Sequence, residues 1–131
     1  MKPFSSTPNK ASPRHELPRL ILTARVRILL DQGTPVPLRR ELAGHEVVTT
    51  YEIGWSGLEN GELLRAAEMD FDVFVTTDQS LRHQQNLAGK RLAILVLPTT
   101  SWPKIQAHVA ELVAAVNKLR PGEFREMSFS G

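Results

Sequence analysis

The sequence predicts an α/β fold in which a mainly parallel sheet is covered by helices on both faces. From Val26 onward, short apolar runs alternate with helix-like segments, the pattern of crossover units that lay strands side by side in one direction. The runs are also continuous, as in "RILL" and "RLAILVL", which suits strands buried on both faces. At 131 residues and 41% hydrophobic, the chain can build one domain with a real core, and not two of ordinary size.

Taken in order, "VRILL" (26–30) reads as a first strand, "PLRREL" (37–42) as a short helix and "EVVTT" (46–50) as a second strand. "NGELLRAAEM" (60–69) reads as a helix with Asn60 able to cap its start, "DVFVTT" (72–77) as a third strand, "SLRHQQNL" (80–87) as a helix and "RLAILVL" (91–97) as a fourth strand. From Ser101 to Leu119, the apolar residues Ile105, Val109, Leu112, Val116 and Leu119 recur at spacings of four and three. That is one face of a helix, with Pro103 near its first turn and Pro121-Gly122 beyond its end. "EFREMSF" (123–129) adds a short edge strand.

The first 24 residues differ in kind. They carry a net charge of +3, whereas residues 25–131 carry −1, and four of the nine prolines fall in the first 20 positions among Ser, Thr and Asn. Such a composition buries little apolar area, so residues 1–24 are expected to be a flexible extension and 25–131 the domain. The basic pI is therefore partly a property of the tail, and global charge makes no case for nucleic acid. Without cysteine there are no disulfides and no thiolate metal sites. No apolar run approaches the roughly 20 residues that span a bilayer, and no apolar core with a small-residue cleavage site marks secretion. A cytoplasmic protein that makes no membrane contact is expected.

Two acids stand where parallel sheets bind ligands, beyond the carboxyl ends of strands. Asp31 directly follows "RILL" and Asp78 directly follows "DVFVTT"; Glu62 lies in the first turn of the following helix, near its positive end. Three hard oxygen donors without cysteine or paired histidines suit Mg²⁺ or Mn²⁺ better than zinc. Each acid also has an ordinary structural use: Asp31 to start a turn, Asp78 to cap the helix after it, Glu62 to face a helix dipole. Convergence of all of them on one rim is what capping alone does not require.

The segments "LLD", "GHEV", "GWSGLENGELL" and "TTD", in this order and spacing, resemble the small PIN-like proteins of the DUF5615 family, relatives of the PIN-domain ribonucleases that include VapC-type toxins. The resemblance runs from Arg27 to about Val96. It implies a PIN-like three-layer α/β/α sandwich whose acidic rim binds Mg²⁺ or Mn²⁺ and hydrolyses RNA, leaving 5′-phosphate products. Asp31, Glu62 and Asp78 would be the catalytic and metal-binding acids. It also implies an antitoxin-like protein partner, and homodimer formation by analogy. This chain departs from the pattern in having Gln32 and Gly33 where many relatives have Glu and Asn, and Ser80 where PIN nucleases often place another acid. With fewer charges, metal affinity should be lower.

Arg82, His83, Gln84 and Gln85 follow Asp78 closely, and Arg82 and His83 are the candidate substrate contacts, Arg82 for phosphate and His83 or the glutamines for bases, set against an ordinary polar helix face. Trp55 is either a base-stacking platform or a lid on the core, and His45 marks a strand entrance. Two rival functions stand beside the nuclease. A non-catalytic PIN-like module binding RNA or a protein is favoured by the reduced acid set. A phosphoacceptor receiver domain is disfavoured, because Gln32 follows Asp31 where receivers have adjacent acids and no fitting lysine closes the set.

Overall fold

The computed structural model describes residues 25–81 and 90–129. Five strands, β1 (Arg27–Leu30), β2 (Glu46–Thr49), β3 (Val73–Thr76), β4 (Ala93–Val96) and β5 (Phe124–Glu126), form one sheet in the order β2-β1-β3-β4-β5. Every neighbouring pair is parallel, including the edge strand β5. Among the described residues, four helices accompany it: α1 (Leu38–Glu41), α2 (Asn60–Asp70), α3 (Trp102–Ala107) and α4 (Val109–Lys118). The helix expected over 80–87 lies mostly outside the described residues, as do residues 1–24.

Alternation along each strand divides the core into two. Ile28 and Leu30 of β1, Val73 and Val75 of β3 and Ala93 and Leu95 of β4 pack with Leu38 and Leu42, with Ile105 of α3, and with Leu112, Ala115 and Val116 of α4. Leu29, Phe74, Ile94 and Val96 point the other way, onto Leu63, Leu64 and Ala67 of α2. With helices on both faces, the strands can be apolar throughout, which is why their sequences do not alternate. The molecule is a three-layer α/β/α sandwich.

The apolar spacing from Ser101 to Leu119 belongs to two helices. Ser101 caps α3, its hydroxyl accepting from Lys104 N–H at 3.4 Å, and the break falls at His108, with φ −122° and ψ 23°. The His108 ring stacks on Phe129 with 4.5 Å between centroids and lies 3.1 Å from Glu111 Oε1. Periodicity misses the break because Ile105 and Leu112 still meet the same cluster on either side of it.

One edge of the sheet is closed by side chains. Arg39 donates to the Val47 carbonyl at 3.0 Å and grips both oxygens of Glu52 at 2.7 and 2.8 Å, while Glu52 Oε1 accepts the Thr49 N–H at 2.9 Å. Main-chain groups on β2 that would otherwise invite another strand are thereby occupied. The Arg39 hydrogen bond, followed by that from Thr49, holds the Glu52 carboxyl below its ordinary range.

Candidate functional site

Strand order fixes where a ligand site is expected. From β1 the chain steps outward to β2, then crosses back to place β3 on the other side of β1. The reversal opens a crevice between β1 and β3 at their carboxyl ends. Asp31 follows β1 and Asp78 lies two residues beyond β3, so both predicted acids flank that crevice.

The turn after β1 is built to hold Asp31. Its N–H donates to the Val75 carbonyl at 2.9 Å, carrying the β1–β3 ladder one step past the strand, and its carbonyl accepts Thr34 N–H at 3.0 Å. Gly33 sits at φ 96°, a conformation that L side chains rarely adopt. Asp31 Oδ1 accepts the Gln32 N–H at 2.8 Å, and Oδ2 accepts the Thr76 hydroxyl at 2.7 Å.

Thr76 joins the two acids. It is fully buried, and its Oγ1 also accepts the Asp78 N–H at 3.1 Å. Asp78 Oδ1 takes two bonds from Ser80, from its N–H at 3.0 Å and its hydroxyl at 2.7 Å. Asp78 Oδ2 accepts the Asn60 amide at 3.1 Å. Local turn formation therefore explains one oxygen of each acid, the one that serves residues just after it. The other oxygen is held from a distant element: Asp31 from β3, Asp78 from the start of α2.

The acids titrate in opposite directions. Burial raises the Asp31 pKa and the negative charge of Asp78 adds to the rise, while the bonds from Thr76 and Gln32 partly offset it. Asp78 is lowered, first by the Ser80 hydroxyl and further by the Ser80 N–H and the Asn60 amide, against a smaller opposing effect of burial.

Glu62 occupies the first turn of α2 and is exposed. Among the described residues no three His, Cys, Asp or Glu side chains form a group able to hold a metal ion, so Glu62 does not complete a three-acid cluster with Asp31 and Asp78. Asn60 does not cap α2: the N-cap is Glu59, in extended conformation, and the Asn60 amide turns to Asp78 instead. Arg82 and His83 lie outside the described residues. Trp55 packs edge-on against Phe71, 5.9 Å between centroids, and joins the core on the α2 side. His45 stands at the entrance to β2, accepting Val26 N–H through Nδ1 at 3.1 Å.

Thr76 and Asn60 are the site residues that sequence reasoning passed over as site members. The signal for Thr76 was present: in "VFVTTD" it is a polar residue in register with a buried row, two places before an acid. Asn60 gave none, since a helix-start Asn reads as a cap.

As a donor set, Asp31 and Asp78 fit a divalent cation that keeps most of its water. Asp31 accepts one hydrogen bond at each oxygen and Asp78 Oδ2 accepts one, leaving lone pairs for an ion. Mg²⁺ is commonly held by one or two carboxylates with waters completing its shell. Among the described residues no helix is long and apolar enough to cross a membrane. Comparison with protein-family models, curated proteins and solved structures gives no match.

Proposed function

We propose that this chain is a divalent-metal-dependent ribonuclease of the PIN-like class, acting in the cytoplasm on RNA phosphodiesters at the rim made by Asp31 and Asp78. The observation that supports it is the cross-element restraint on the second oxygen of each acid. Two carboxylates are kept close enough to repel, and a shared cation would relieve that repulsion. Asp31 and Asp78 would hold Mg²⁺ or Mn²⁺, Thr76 orienting the first and Asn60 with Ser80 the second. When bound, such an ion polarises the scissile phosphate and lowers the pKa of a coordinated water. Arg82 and His83 would bind substrate, while Glu62, which does not form a three-acid group with Asp31 and Asp78, is left out of the metal set. The resemblance to toxins extends the proposal to an antitoxin-like partner and to a homodimer.

A second function, a non-catalytic PIN-like module that binds RNA or protein, draws support from the reduced acid set, with Gln32 and Ser80 where PIN-like relatives often carry acids. The deciding experiment incubates the purified chain with single-stranded and structured RNA, with Mn²⁺, Mg²⁺ or chelator. Cleavage that requires metal, leaves 5′-phosphate ends and is lost in Asp31→Asn supports the nuclease. RNA retention without cleavage, indifferent to metal, refutes it in favour of the module.

A further inference from the structure

A concave site lies at the end of the sheet opposite the Asp31–Asp78 rim, where β1, β3 and β4 begin. It is a cavity of about 580 Å³ whose apolar lining includes Val26, Val73, Ala93 and Val116, a size typical of small-molecule sites. Arg25, Arg91 and Arg120 surround it, with Asp72 as the one acid among the described lining residues.

The polar groups at this cavity can be accounted for individually. His45 accepts Val26 N–H through Nδ1, and its Nε2 lies 2.9 Å from Asn117 Oδ1. A ring that accepts at Nδ1 donates from Nε2 when neutral, so both nitrogens are used and the amide nitrogen of Asn117 is left over. Asp72 accepts the Arg27 N–H at 2.8 Å and the Arg91 guanidinium at 3.1 Å. Arg91 is held further by the carbonyls of Glu68 and Phe71. Glu123 partly offsets the charge of Arg120, but the guanidinium that hydrogen-bonds its carboxylate is that of Arg125, at 2.9 Å. Among the described residues, the unspent side-chain groups are therefore all donors: the Asn117 amide and the guanidinium groups of Arg25 and Arg120.

An apolar floor under surplus donors and excess positive charge selects an anionic head on an apolar body. We infer that this cavity binds a small amphipathic organic anion, with a carboxylate or phosphate-monoester head between Arg25, Arg120 and Asn117 and its body over Val73 and Ala93. The site is separate from the Asp31–Asp78 rim, since it lies at the amino ends of the same strands.

Calorimetric titration of the full chain at low salt tests this, with octanoate and 1-naphthyl phosphate as probes, and octanol and inorganic phosphate as the body and head alone. At least one amphipathic anion should saturate at one per chain, about tenfold or more tighter than octanol or phosphate, and the tighter of the two identifies the head. Arg120→Gln, at an exposed position, should weaken that binding about tenfold, the scale of one charge-assisted hydrogen bond. Asp31→Asn should leave it unchanged. Octanol or phosphate binding as tightly, undiminished binding in the Arg25→Gln/Arg120→Gln double variant, or no binding of either anion overturns the inference.

Discussion

Replacing Thr76 by Val tests whether the two acids form one unit. The side chains have nearly the same shape, so a fully buried site suffers little change in packing, while two hydrogen bonds disappear. One is the 2.7 Å bond to the Asp31 carboxylate, the kind worth about 1.5–3 kcal/mol; the other is the 3.1 Å bond from Asp78 N–H, worth about 1 kcal/mol. Together they predict a loss of about 2.5–4 kcal/mol at neutral pH. Urea unfolding with an unchanged slope measures it. The pH dependence is the sharper part. Thr76 opposes the burial that raises the Asp31 pKa, so the variant raises it further. Its deficit should be full above the variant's further-raised Asp31 pKa and should shrink as the pH falls from there to the wild-type folded-state value, because a protonated Asp31 no longer needs the donor. A loss under about 0.5 kcal/mol, far below one such hydrogen bond, would refute the reasoning, as would one that does not vary with pH.

The two acids should answer substitution with opposite signs. The raised pKa of Asp31 means that stability is fully present below its ordinary value of 3.8 and is lost as pH rises through the folded-state value, so Asp31→Asn should leave the metal-free protein as stable or more so at pH 7. Asp78 is lowered, contributes stability above 3.8 and loses it as pH falls through its folded-state value, so Asp78→Asn should cost about 1–2 kcal/mol through weakened bonds from Ser80 and Asn60; thermal melts across pH check both, and either variant should lose Mn²⁺-dependent stabilisation. Ser80→Asp replaces a donor to Asp78 with a like charge, so melts should show a less stable metal-free protein with a larger Mn²⁺-induced rise than wild type; an unchanged rise would count against a shared cation. Gly122→Ala should destabilise by more than about 1–2 kcal/mol, because Gly122 has φ 79° and an added Cβ would lie 2.7 Å from the Lys90 carbonyl; denaturant midpoints measure it.

The strands were legible because burial on both faces writes itself as continuous apolar runs, and "RILL", "VFVT" and "AILV" needed no tertiary information. Asp31 and Asp78 were legible for a related reason: a charged residue ending such a run marks the sheet's rim. The interruption at His108 was not, since a backbone break that preserves side-chain phase leaves periodicity intact. Asn60 and Thr76 escaped because their partners are 18 and 45 residues away, and sequence-local chemistry offered each a sufficient role as cap or strand residue. Glu62 shows the converse. Its position at a helix start is what local signals predict, yet convergence with the other acids depends on the direction the helix gives it.

Asp31 carries the functional argument further than Asp78 does. At Asp78 the charge contributes to the fold, since its oxygens accept three bonds and its pKa falls, so its ionised state needs no cation to explain it. At Asp31 the charge opposes the fold, because burial and a neighbouring carboxylate raise its pKa. The turn asks only for an acceptor opposite the Gln32 N–H, which Asn or Ser provides without placing a charge beside another. Thr76 then spends a buried hydroxyl on holding that unfavourable carboxylate. A charge that weakens the resting protein, and is oriented by a donor from another strand, is the arrangement expected where a cation completes the site. The same logic makes Asp31→Asn the decisive variant: a gain in metal-free stability together with loss of the Mn²⁺ response separates a ligand from a turn residue, and a loss of metal-free stability would return Asp31 to the turn.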